Sequence, residues 1–409
     1  MQICNTDKCT GCYACINACM RNCISMKEDE YGAIKPAIDE SSCVQCCMCI
    51  KACPNNTSLE FKYPKSCYAA WIKDKVKRQI CASGGLGTTF SEYVIKQGGI
   101  VYGSCYDNLL TPRIQPTETI EELVRFKGSR YVQSLVGDQT YRDVKKRLFA
   151  GKKVLYIGTP CQIAGLKTYL RKEYENLITV DLICHGVCPT KYLNEEVGYL
   201  SDKYRLKDVA DIRFRGNDGN NFRLTLWDKH RKRLFPRNGF CEKLLHLDDA
   251  QQYYIMGFLL GVTLRENCYS CNYARPERIS DITIGDFIGL GKMGKFEYSK
   301  NNVSSVFINT DKGRIFYDDV CNFNSDLVSV EREYEERLLY APSLKYPYPR
   351  HKLNPIFKDN YLKYGYVEGI RKTLRKKVHQ AQINRIINLW TYSYRIPRKI
   401  YKIFTEKKA

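Results

Sequence analysis

The chain has no apolar run of 18 residues, the length at which a helix begins to span a bilayer, so no membrane-crossing segment is predicted. Its first residues are polar, and Cys4 and Cys9 arrive before any apolar stretch, unlike a secretory signal. Acids are scarce relative to bases: 44 Asp and Glu stand against 65 Lys and Arg, and the formal net charge is +21. The shortage is uneven. Residues 371–409 carry twelve Lys and Arg against one acid, Glu406. A basic end of that kind suits an acidic partner, a protein or an anionic membrane surface, and nucleic acid is not expected. Disorder is excluded by a hydrophobic content of 44%, and 409 residues allow two or three domains.

What the chain has in excess is cysteine, 21 in all, eleven of them in the first 53 residues. The order is Cys9-x-x-Cys12-x-x-Cys15-x-x-x-Cys19, repeated as Cys43-x-x-Cys46-x-x-Cys49-x-x-x-Cys53-Pro54. Each run has the bacterial spacing for a [4Fe–4S] cluster, in which a loop offers three thiolates and the fourth ligates the other cluster. The predicted sets are therefore Cys9, Cys12, Cys15 and Cys53, and Cys43, Cys46, Cys49 and Cys19. Zinc sites and structural disulfides are the competing readings. Met20 stands where a proline usually follows, which alters a turn but no ligand. Cys4, Cys23 and Cys47 lie off the pattern and read as small buried apolar residues. With no signal segment, this cysteine usage predicts a reducing, cytoplasmic setting.

The remaining chain alternates strands and helices. Residues 24–26 and 58–61 are predicted to be short strands closing the two halves of the cysteine repeat. Residues 67–72 read as a buried strand, followed by Cys81-Ala82-Ser83-Gly84-Gly85-Leu86-Gly87-Thr88 running into a helix at 90–96. Such a turn either brings backbone N–H groups to a phosphate or ring, or is simply tight. Lys127-Gly128-Ser129-Arg130-Tyr131 is a basic, hydroxyl-bearing loop suited to phosphate. Residues 153–160, a helix at 162–172 and residues 178–183 form a βαβ unit with a parallel pair. Cys161 and Cys184 fall at the carboxyl ends of its strands, where such sheets bind ligands. Residues 208–235 look antiparallel and 250–264 helical. Cys268-x-x-Cys271 precedes a strand at 281–286 with a glycine-rich turn, a strand at 303–308 and a helix at 312–321. Ile370, Leu374, Val378 and Ala381, then Ile386, Ile387 and Trp390, make an apolar stripe on a basic helix. That helix either lies at the inner face of a membrane or packs on the protein's own body.

Taken in order, Cys81-Ala82-Ser83-Gly84-Gly85, the Lys127 loop, Gly158-Thr159-Pro160-Cys161-Gln162, Ile183-Cys184-His185-Gly186, Cys268-x-x-Cys271 and 280–286 resemble one family. It is the beta subunit of coenzyme F420-reducing hydrogenases and dehydrogenases, here with a dicluster ferredoxin in front. The resemblance covers roughly residues 1–345 and implies an α+β architecture. A dicluster ferredoxin fold at 1–62 is followed by an α/β domain with a mixed sheet. Its flavin-binding region would be 63–150 and its C-terminal region 151–345, before a linker and basic helical tail at 346–409.

The resemblance also implies a third [4Fe–4S] cluster on Cys161, Cys184, Cys268 and Cys271, with zinc as the alternative occupant. It implies FAD on Ser83, Gly84, Gly85 and Thr88, with Lys127, Ser129, Arg130 and Tyr131 nearby. Cys188 stands where the family usually lacks cysteine and is left out of the ligands. The resulting expectation is a flavin-dependent iron–sulfur oxidoreductase fed by a redox partner protein or small electron carrier. An electron-transfer subunit with no substrate of its own is the alternative, and a scaffold held by clusters is a third. No catalytic residue is assigned: His185 reads as acid–base or structural, and Asp286 as a ligand contact or turn cap.

Overall fold

The computed structural model describes residues 1–215, 222–236, 253–298 and 302–405, with the side chains of 385–405 outside the described set. The two cysteine runs take the same backbone path. Gly11 (φ 61°) and Tyr13 (φ 64°) turn left-handed in the first, Gln45 (φ 53°) and Cys47 (φ 58°) at the equivalent positions of the second. Each loop then opens a short helix, α1 (Ala14–Ala18) or α2 (Met48–Lys51).

Strand β1 (Ile24–Glu28) pairs antiparallel with β2 (Ile34–Ile38). The segment at 58–61, expected as a short strand closing the second half, is not a strand; next to it Lys62 bridges to Arg278. The reason is local. The Asp29 carboxylate accepts from the Tyr31 and Ala33 amides, and Gly32 turns with φ 75°, so a hairpin claims the edge of β1 first.

Eight strands form the main sheet. They are β3 (Ser66–Ile72), β4 (Ile100–Tyr106), β5 (Pro112–Thr117), β6 (Val154–Gly158), β7 (Leu177–Leu182), β11 (Ile282–Asp286), β12 (Ser304–Ile308) and β13 (Leu327–Arg332). Between them in the chain, β8 (Val209–Arg213), β9 (Thr225–Asp228) and β10 (Arg233–Phe235) make a separate antiparallel sheet, as predicted for 208–235. The large sheet has the order β13-β3-β12-β11-β7-β6-β4-β5. Its centre, β4, β6, β7 and β11, is parallel, and its flanks are antiparallel. Because β12 opposes both β11 and β3, β3 ends at the same edge as the parallel strands.

Helix α3 (Lys75–Gln79) leads into α4 (Leu86–Lys96), which begins four residues earlier than expected because Gly85, at φ 95°, caps it. Phe90 and Val94 of α4, with Phe316 and Val320 of the helix Asp311–Phe323, cover one face of the sheet. On the other face, α5 (Thr140–Phe149) and α6 (Pro160–Leu170) pack through Tyr141, Val144, Ile163 and Leu166. The cysteine module sits on this second layer. Buried Asn17 accepts from the Tyr141 amide and donates to the Gly137 carbonyl, and Thr168 donates to the Ala52 carbonyl at 2.7 Å. Gly165 of α6 is what lets the module come close: a Cβ there would lie 2.8–2.9 Å from the Cys12 side chain. The expected helix at 250–264 is shorter where described, Tyr254–Leu259, and residues 250–252 lie outside the described set.

The long helix Asn354–Thr405 breaks at Gly365 and then runs along α7 (Thr190–Tyr204). Ile370, Leu374 and Val378 are buried there, so this part of the apolar stripe is taken up by the protein's own body. Ala381 is exposed, and Ile386, Ile387 and Trp390 lie outside the described side chains. Among the described residues no helix is long and apolar enough to cross a membrane. Fully buried Glu196 of α7 accepts both arms of the Arg371 fork, at 3.1 and 3.2 Å. Removing one member of a buried ion pair costs about 3 kcal/mol or more. Arg371→Ala should therefore lower the denaturation midpoint clearly; an unchanged midpoint would detach this segment from the body.

Candidate functional site

The N-terminal cysteines fall into two groups. Cys9, Cys12, Cys15 and Cys53 line one small cavity, together with Cys4. The second group contains Cys19 and Cys49, and burial raises the pKa of the Cys49 thiol, with Cys19 and Cys46 near enough to add to the rise. Cys23 belongs to this group too: its Sγ is 3.4 Å from that of Cys19. The two off-pattern cysteines Cys4 and Cys23 are thus fifth thiols, one beside each set, rather than ordinary core residues. Cys47, in contrast, points its thiol at the Gln45 carbonyl. The first set is deep, each thiol-bearing residue being under 9% exposed, while Cys46 of the second is exposed.

A third set gathers at the carboxyl edge of the large sheet. Cys161 lies in the first turn of α6 directly after β6, and a capping box at Thr159 and Gln162 fixes that turn. Cys184 follows β7, and Cys268 and Cys271 come from the short turn at Glu266–Ser270. All four line one cavity, with Thr10 and Gly11 of the first cysteine loop in its wall. Burial pushes the Cys268 thiol up to about 11 and that of Cys271 to about 12, and it raises Cys184 well above the usual thiol value. Arg265, absent from the sequence reading, lines the same cavity and opposes the rise at Cys161 and Cys268.

Cys188 lies outside the cavity, its thiol 3.1 Å from the Thr263 hydroxyl in the core. His185 donates from Nε2 to the Phe258 carbonyl at 3.1 Å and rests against Tyr348, with burial lowering its pKa. Among the described residues, no three His, Cys, Asp or Glu side chains are grouped around a single-ion position.

The glycine-rich turn lies at the same edge, since β3 ends there. Gly84 and Gly85 face inward: added Cβ atoms would lie 2.3 Å from the Ala70 carbonyl and 2.5 Å from the Ile72 side chain. Their tightness serves packing on β3. The remaining residues of the turn are available. Ser83 Oγ is buried without a hydrogen-bond partner among the described residues. Cys81 and Thr88 are within reach of each other at 3.7 Å, and the Lys127 and Arg213 charges act on Cys81. In the Lys127 loop, Arg130 is spent on the carbonyls of residues 125–128, so its fork shapes the loop. Tyr131 stacks on Phe258 and Phe222, and Ser129 bonds to it. Asp286, at the end of β11, is held by buried Arg215 at 2.6 Å, which favours a structural role for that carboxylate.

Paired ferredoxin-type loops fixed to a mixed α/β sheet define an iron–sulfur electron-transfer protein. Residues 8–57 match the 4Fe-4S dicluster domain, and residues 151–325 match the C terminus of the coenzyme F420 hydrogenase/dehydrogenase beta subunit. The chain belongs to that beta-subunit family, with a dicluster domain at its N-terminus. An uncharacterized protein from the rpl9-rpl11 intergenic region of Porphyra purpurea is 36% identical over 56 residues, 13% of this chain and 75% of that protein. The F420-reducing [NiFe] hydrogenase complex of Methanosarcina barkeri, solved as a xenon derivative, contains a chain that is 16% identical. That match covers 78% of this chain and 95% of the other, with a TM-score of 0.43.

The fifth thiol of the second set changes what a ligand substitution should do. Cys19→Ser alone is expected to keep most of its cluster iron, because Cys23 is placed to substitute. Cys19→Ser with Cys23→Ser should lose about four irons per chain by iron and sulfide analysis. Equal iron in the single and double variants would remove the spare-ligand role.

Proposed function

We propose that the protein is an iron–sulfur flavoprotein oxidoreductase. Single electrons would move between the two N-terminal clusters and a third [4Fe–4S] cluster on Cys161, Cys184, Cys268 and Cys271. FAD would bind across the turn at 81–88 and the loop at 127–131. The observation that carries this reading is the meeting of four thiols from three separate stretches in one cavity, walled by the first cysteine loop. Zinc is the weaker occupant, because it is redox-silent and would break the electron path at this cavity.

Bound clusters carry single electrons, and a bound flavin converts them to two-electron hydride chemistry. The chain's own residues supply the seats. Backbone N–H groups at the start of α4, which no side chain caps, the partnerless Ser83 hydroxyl and the Lys127 ammonium, which makes no ion pair among the described residues, all suit a phosphate-bearing cofactor. His185 and Tyr348 wall the cysteine cavity with aromatic surface and hold water away from it.

An electron-transfer role serving a partner protein has its own support. Cys46 is exposed, and so are Met20 and Val44, at 81% and 57%, which directly follow the proposed ligands Cys19 and Cys43 in the chain. An apolar rim beside an accessible cluster suits brief docking of a redox partner or carrier in a reducing, cytoplasmic setting. The tail beyond residue 381 remains the segment for an anionic membrane surface.

Metal analysis of anaerobically purified full-length protein should give about twelve irons with matching sulfide. About eight irons and one zinc would sink the third cluster. For the flavin, Lys127→Gln should weaken FAD retention at least tenfold, read as flavin per chain after gel filtration. Gly84→Val is a poor probe, because it would strike the Ala70 carbonyl and unfold the turn. Unchanged flavin in Lys127→Gln would move the phosphate site elsewhere.

A further inference from the structure

Arg265 lies where two cysteine sets meet. It is 2% exposed and stands just before the turn that carries Cys268 and Cys271. Its fork reaches the other set. Nη1 donates to the Thr10 carbonyl at 2.5 Å, and Nη2 to the carbonyls of Cys9 at 3.4 Å and Ile34 at 3.2 Å. Nε is buried with no acceptor among the described residues. Among the described residues no carboxylate pairs with it, and the adjacent Glu266 is held by Arg350 and Lys358. Gly11 leaves the space the fork occupies: a Cβ there would lie 3.0 Å from Nη2.

A buried guanidinium without a counter-charge is strongly unfavourable. The anions that can balance this one are thiolates. Cys9 lies on one side; Cys161 and Cys268 lie on the other.

We propose that Arg265 is the common counter-ion of two clusters, one on Cys9, Cys12, Cys15 and Cys53 and one on Cys161, Cys184, Cys268 and Cys271. The inference rests on the third-cluster reading above. Each cluster gains one negative charge when it accepts one electron, and no proton is required. A fixed cation between them favours that gain at both, so Arg265 raises both midpoint potentials together. Its three carbonyl contacts also fix the Cys9 loop against the cavity, which sets the distance an electron crosses. Arg265 is therefore a positioning residue that matches two redox centres to each other. It binds no substrate.

The test is an anaerobic redox titration of the full-length protein followed by EPR, for wild type, Arg265→Gln and Arg265→Lys, each with iron and sulfide analysis. In Arg265→Gln two midpoints should fall, each by about 59 mV or more, a tenfold change in a one-electron equilibrium. The third, from the cluster of Cys43, Cys46, Cys49 and Cys19, should stay. Arg265→Lys keeps the charge without the fork and should bring both back toward wild type. Loss of both neighbouring clusters from Arg265→Gln with retention in Arg265→Lys supports the same role. Iron near twelve with one midpoint moved, or none, overturns the shared counter-ion alone. Iron near eight in the wild type overturns the third cluster, and the shared role falls with it.

Discussion

Thiols that share a cubane must converge from parts of the chain that have no other reason to meet. Cysteines converge in that way at three places in this molecule. Cys53 of the second run lies in the cavity of Cys9, Cys12 and Cys15, which ties the halves of the repeat together. At the edge of the large sheet, Cys161 and Cys184 are brought together by neighbouring parallel strands, and the Cys268 turn is folded down on them. The packing follows from these meetings. The small residues Gly11 and Gly165 occur where one cysteine-bearing element presses on another, and larger residues there would separate them.

The chemistry of the third set depends on its burial. Burial alone drives its thiols toward the neutral form. A positive guanidinium in the wall works in the other direction, toward thiolate and toward metal. The α/β layer thus supplies more than a platform: its own charge enters the same cavity as the backbone of the first cysteine loop.

Much of this was legible in the sequence because it is local. Cysteine spacing needs only a few residues to declare itself, and the βαβ unit around Cys161 shows in two apolar runs and one helix. What was not legible depends on distant partners. The segment at 58–61 looks like a strand but loses its edge to a hairpin closed by Asp29. Gly84 and Gly85 look like a ligand turn, yet their missing side chains are explained by β3 beneath them. Arg265 gave one faint signal, a lone charge after the apolar run at 258–264, and only the fold shows what it faces. The apolar positions 370, 374 and 378 promised an amphipathic helix, and periodicity does not say whether protein or lipid covers it.

The unequal depth of the two N-terminal sets bears on what can reach them. Cys46 opens to solvent, so a large molecule can touch the second set from outside. Cys9, Cys12, Cys15 and Cys53 are buried, and Gly165 of α6 lies against Cys12. Only what fits their small shared cavity comes near them, and the helix packed on that side is the one that carries Cys161.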